Sequence, residues 1–250
     1  MNIKSSIRGF YIHAVQQEAT TKSGRKIKYI YNRYPESKGL VVVFSAFSEP
    51  PARYNYIGTL KNLRENKLFI LDDWGRIDYP GVYYLGWNGD YILKEEVIDF
   101  IKSITMRIGS DCRLTMLGSS KGGWCALYYG LRMGADTIIA GAPQYYLGNY
   151  LDCDFHKETF DIMMGDDKLK NKDILNNLLP NVIRSCRNRI NVFLHYSECE
   201  HTYYNHIKDL CDDLSENDSI NLYTDIQHYN SHGEVGCFFP FFVKNLLKIN

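Results

Sequence analysis

Residues 40–44, Leu-Val-Val-Val-Phe, are apolar at every position, the pattern of a strand buried on both faces of a parallel sheet. Further β-prone runs at residues 67–71, 113–117, 137–140, 190–196 and 219–223 predict more strands. Between them the apolar residues recur at helical spacing. The clearest case is 90–108, where Ile92, Leu93, Val97, Ile98, Phe100, Ile101 and Ile104 form one stripe and Lys94, Glu95, Glu96 and Lys102 lie off it. Helices are also expected at 54–66, 124–131 and 174–186, in a segment closing at 211–214, and within 233–249. Strands alternating with helices over more than a hundred residues predict βαβ units and a mostly parallel central sheet with helices on both faces. Residues 1–35 read as an antiparallel lead-in, with a strand at 26–31 after the Lys22-Ser-Gly-Arg25 turn. Between 151 and 188 the strand rhythm breaks, which predicts a helical cap or insertion over the C-terminal edge of the sheet.

The 250 residues suit a single α/β domain spanning 1–250. Lys plus Arg equals Asp plus Glu at 29 each, so no overall field points to nucleic acid or a membrane surface. The seven cysteines are scattered and lack metal-ligand spacing, as expected for reduced thiols in a cytoplasmic protein that holds no metal. No run approaches eighteen apolar residues, and the first residues, Met-Asn-Ile-Lys-Ser-Ser-Ile-Arg, lack the apolar core of a signal peptide. The chain is therefore expected to be soluble, intracellular and not membrane-spanning.

Candidate chemistry concentrates at Leu117-Gly-Ser-Ser-Lys-Gly-Gly123, between a predicted strand and a predicted helix. Gly118-x-Ser120-x-Gly122 is the nucleophile-elbow pattern, which holds a serine on a strained bend with its hydroxyl exposed above the sheet. Strand and helix crowd together there, so the positions two before and two after the serine must be small. That condition selects Ser120 over Ser119, because centring on Ser119 would place Leu117 and Lys121 at the crowded positions. A phosphate loop is excluded, since Lys121 precedes the glycine pair instead of following it.

A serine hydroxyl becomes nucleophilic when a histidine accepts its proton and a carboxylate orients the imidazole, and elbow proteins place these in the order serine, acid, histidine. The histidine is expected between the last strand and the last helix, where His228 and His232 lie. His232, in Ser231-His-Gly233, has small neighbours that let the ring turn inward. The acid is expected after the 190–196 strand, in Ser197-Glu-Cys-Glu-His201. Glu200 is selected, because it stands three residues beyond the small Ser197, while Glu198 is nearer the strand end. Oxyanion donors are expected from the backbone N–H of Lys121 and from Ala46 or Phe47 after the 40–44 strand.

Phe44-Ser-Ala-Phe47, Arg53-Tyr-Asn-Tyr-Ile57, Tyr83-Tyr84, the elbow block, Ala142-Pro-Gln144 and the late His232 together resemble bacterial capsular-polysaccharide O-acetyltransferases of the α/β-hydrolase type. The likeness runs from about residue 40 to the C-terminus. It implies the α/β-hydrolase fold, catalytic Ser120 and His232, acetyl-CoA as donor, a sugar hydroxyl of a surface polysaccharide or oligosaccharide as acceptor, and association with capsule-assembly enzymes. The family's acid is an aspartate, where this chain offers Glu200 or Glu198. A glycan-deacetylating carboxylesterase would use the same residues. The other alternative is a catalytically inactive scaffold of glycan assembly, against which the intact Ser120 and His232 weigh.

Overall fold

The computed structural model describes Ile12 and residues 14–249. Part of the antiparallel lead-in and the stretch read above as lacking a signal-peptide core fall on residues 1–11, outside the described residues. Eight strands form one sheet: β1 Gln17–Thr20, β2 Lys26–Asn32, β3 Gly39–Phe44, β4 Asn66–Ile70, β5 Arg113–Ser119, β6 Thr137–Gly141, β7 Ile190–Ser197 and β8 Ile220–Gln227. Their spatial order is β1-β2-β4-β3-β5-β6-β7-β8. The pairings β1–β2 and β2–β4 are antiparallel, and all others are parallel.

Every residue of β3 is buried, because the strand is paired on both sides and covered on both faces. Strand side chains alternate between faces. Leu40, Val42 and Phe44 therefore join one core cluster, and Val41 and Val43 join the other. The first cluster packs α1 Leu93–Ile108, α2 Lys121–Met133, α5 Lys168–Ser185 and α6 Lys208–Ser215. Against the second lies α7 Val235–Leu246, together with Tyr54 and Leu60. Short helices α3 Leu147–Leu151 and α4 Lys157–Met164 flank a 3₁₀ turn at Asp154–His156, between β6 and α5. No helix among the described residues is long and apolar enough to cross a membrane.

Three expectations change. The helix at 54–66 does not form; the segment folds into turns. Tyr56 takes φ 61°, outside the helical range, while its hydroxyl bonds that of Ser119. The last strand extends through Gln227, which leaves His228 just beyond it. The strand before the elbow runs to Ser119 and the helix after it starts at Lys121, so the turn expected over 118–123 is a single residue, Ser120.

Chain order explains where a site can form. From β3 the chain passes to β4 on one side, and β5 then returns on the other side of β3. Loops leaving β3 and β5 therefore diverge, opening the crevice at the C-terminal strand ends where ligands bind in such sheets.

Candidate active site

Ser120 adopts φ 51° and ψ −124°, a strained conformation for a residue with a side chain. Packing enforces it. A Cβ at Gly118 would strike the Gly122 backbone, and one at Gly122 would lie 2.5 Å from the Phe44 carbonyl oxygen. The Ser120 N–H donates to Gly141 O at 2.7 Å, locking the bend to β6.

Ser120 Oγ lies 2.8 Å from His232 Nε2, and His232 Nδ1 lies 3.1 Å from Glu200 Oε1. Both are within hydrogen-bonding range. With Nδ1–H donating to the carboxylate, Nε2 is the acceptor for the serine proton. Glu200 is almost fully buried, and its Oε1 also accepts from the Thr202 hydroxyl. Glu198 is exposed, as is His228. His232 opens a 3₁₀ turn whose start is fixed by a capping box between Ser231 and Glu234.

The two loop donors differ. The Ala46 N–H already donates to Asn55 Oδ1 at 3.0 Å, so of the pair expected at this loop only Phe47 is left to face a substrate oxygen. On the other side stands the Lys121 N–H, at the first residue of α2.

Four side chains have roles at the site that went unread in the sequence. Gln144 is fully buried; its Nε2 donates to Ser120 Oγ at 3.3 Å, and its Oε1 accepts from the Tyr83 hydroxyl at 3.4 Å. Ser197 donates its hydroxyl to the Tyr229 carbonyl at 2.6 Å and accepts the Cys199 N–H at 3.1 Å, pinning the Glu200 loop to the His232 loop. The Lys121 side chain is buried, with Nζ 2.5 Å from Asp72 Oδ2 and 3.4 Å from Ser45 Oγ. Asp72 in turn accepts the Val82 N–H at 3.0 and 3.1 Å, and the Ser45 N–H donates to the Tyr84 hydroxyl at 2.7 Å. One ion pair thus ties the elbow helix to the loops after β3 and β4. Gln144 was the one with a visible signal, since it ends the Ala142-Pro-Gln144 string at the strand exit. Lys121 and Asp72 pair across 49 positions, which no local pattern reveals.

Histidines gather around this crevice. His201 lies 6.5 Å from His232, ring centre to ring centre. Burial pushes His206 and His156 down to about 4, so both are neutral near pH 7.

No family model matches the chain, and no curated protein matches its sequence. Solved structures do match its shape. A mutant of the capsule O-acetyltransferase of Neisseria meningitidis serogroup A, in complex with CoA, aligns with TM-score 0.73 and 21% identity over 93% of this chain and 94% of that one. A Glycosylation Associate Protein (Gap123) complex from Streptococcus agalactiae aligns with TM-score 0.71 and 18% identity, over 94% of this chain and 47% of that one. An S-formylglutathione hydrolase from Agrobacterium tumefaciens aligns with TM-score 0.63 and 10% identity, over 93% and 94%. The chain has the α/β-hydrolase fold. Its resemblance to capsule O-acetyltransferases, read first from scattered motifs, extends to the course of nearly the whole backbone.

Proposed function

We propose that the protein is a serine-dependent O-acetyltransferase that moves an acetyl group from acetyl-CoA to a sugar hydroxyl of a capsular or other surface polysaccharide. The observation that carries the reading is the unbroken chain Ser120–His232–Glu200, at 2.8 and 3.1 Å, set on a backbone similar to that of a capsule O-acetyltransferase.

His232 Nε2 takes the Ser120 proton as Oγ attacks the thioester carbonyl, and Glu200 stabilises the resulting imidazolium. The Lys121 and Phe47 N–H groups hold the developing oxyanion. The C–S bond then breaks, the thiolate leaves with the proton from His232, and acetyl-serine remains. In the second half His232 deprotonates a sugar hydroxyl, whose oxygen attacks the ester; the bond to Ser120 Oγ then breaks as His232 returns the proton to it. The acceptor is a glycan polymer or precursor, met inside the cell alongside capsule-assembly enzymes, and segment 151–188 serves as the cap over the crevice.

The test is incubation with acetyl-CoA, with and without sugar acceptors, following thiol release and the mass of the peptide that holds Ser120. A gain of one acetyl group on Ser120 and an acetylated sugar are expected. Absence of both with intact, folded protein would sink the reading. Acetate release from an acetylated glycan, without any transfer from CoA, would assign a carboxylesterase instead.

A further inference from the structure

The mechanism leaves His156 unused, although it stands beside the reacting groups. It closes the 3₁₀ turn at Asp154–His156. Its ring stacks on Phe47 at 5.2 Å and 23°, and it meets Tyr150 at 4.5 Å and 39°. Phe47 carries the open oxyanion donor, and His156 is close enough to His232 to feel its charge. Neither His156 ring nitrogen has a hydrogen-bond partner among the described residues, so this half-buried imidazole is held in place by ring contacts alone. The preceding Phe155 meets His156 edge-on at 4.8 Å and is 87% exposed, so an aromatic face stands open to solvent next to the imidazole.

Given the acyl-transfer reading, we infer that His156 and Phe155 form the acceptor subsite, with Phe155 stacking on the apolar face of an uncharged pyranose and His156 hydrogen-bonding a hydroxyl beside the one that is acetylated. A sugar ring offers both features at once, a C–H face for an aromatic platform and a rim of hydroxyls that donate and accept. A neutral imidazole carries one donor and one acceptor, which matches a hydroxyl. Burial keeps His156 in that neutral form at ordinary pH. The nucleotide of CoA is a poorer occupant. Within the turn itself, Asp152 and Glu158 are paired with Lys172 and Arg76, and Asp154 and Lys157 balance, so these positions add no surplus of cations for phosphates.

The informative variants are Phe155→Ala, which removes the platform, and His156→Phe, which keeps the ring stacking on Phe47 and removes the nitrogens. Acceptors are p-nitrophenyl glycosides of glucose, mannose, galactose and N-acetylglucosamine, supplied with acetyl-CoA. For whichever glycoside the wild type acetylates best, each variant should raise the acceptor KM at least tenfold and move the acetyl-CoA KM less than twofold. Unchanged acceptor KM, or a shift confined to acetyl-CoA, overturns the inference. Calorimetry of the same glycosides with Ser120→Ala, alone and combined with each variant, separates this from failure of the catalytic reading. Loss of sugar binding on Phe155→Ala and His156→Phe supports the subsite even if acetyl-CoA proves not to be the donor, and no sugar binding by Ser120→Ala overturns it.

Discussion

Glu200 and Glu198 stand two positions apart in one loop, yet Glu200 is buried against Thr202 and His232 while Glu198 faces solvent. A carboxylate that fixes an imidazole acts on the transition state, so Glu200→Gln should lower kcat roughly 10⁴-fold with little change in KM. Glu198→Gln should stay near wild type. Steady-state kinetics on purified variants decides, and equal losses in both would show that the loop acts through its overall charge. Ser120→Ala should abolish acetylation of the protein while circular dichroism stays native. Ser119→Ala should keep much of the activity but melt earlier, because it strips the part-buried Tyr56 hydroxyl of its partner. Reversal of those two results would move the nucleophile by one residue.

The elbow joins β5 to α2 through one residue, and its tolerance is set by backbone on all sides. Gly122→Ala would press a methyl group onto the Phe44 carbonyl, so a loss of roughly 1–3 kcal/mol is expected in urea unfolding, with activity falling further as the loop after β3 is displaced. The buried Lys121–Asp72 pair makes a different prediction. Removing one partner strands a charge and should cost roughly 3–5 kcal/mol, whereas Lys121→Met with Asp72→Asn should cost clearly less than the sum of the two single changes. Additive losses would show that the two side chains act independently. These same elements mark what a reader of the sequence can see. β3 announces itself because burial on both faces demands an unbroken apolar run, and the elbow because the tight approach demands glycine. The positions of His232 and Glu200 follow from chain order and loop spacing. The Lys121–Asp72 pair, the Ser197 bridge and the Gln144 contact depend on partners far along the chain. The segment after Tyr54 misleads, since its helical spacing is overridden by Tyr54, buried in the core cluster that holds α7, and by Tyr56, whose hydroxyl bonds that of Ser119.

At the scale of the whole molecule, acid should be the weak direction. The imidazoles of His156 and His206 are held at about 4 by burial, against 6.5 when freely solvated, so the unfolded chain binds more protons between those values. The stability tied to the two neutral rings is complete above pH 6.5 and is lost as pH falls through 4. Thermal melts should therefore drop between pH 6.5 and 4, and the drop should shrink in a His156→Phe, His206→Gln double variant; an unchanged slope would assign the acid sensitivity to other groups. The spread of the site along the chain has a consequence for synthesis. Ser120 and His232 are 112 positions apart, so at roughly 5–20 residues per second a ribosome reaches the serine some 6–20 s before it reaches the histidine. Through that interval the nascent protein carries a serine without its histidine, and the three side chains cannot come together until the chain just ahead of α7 has been made.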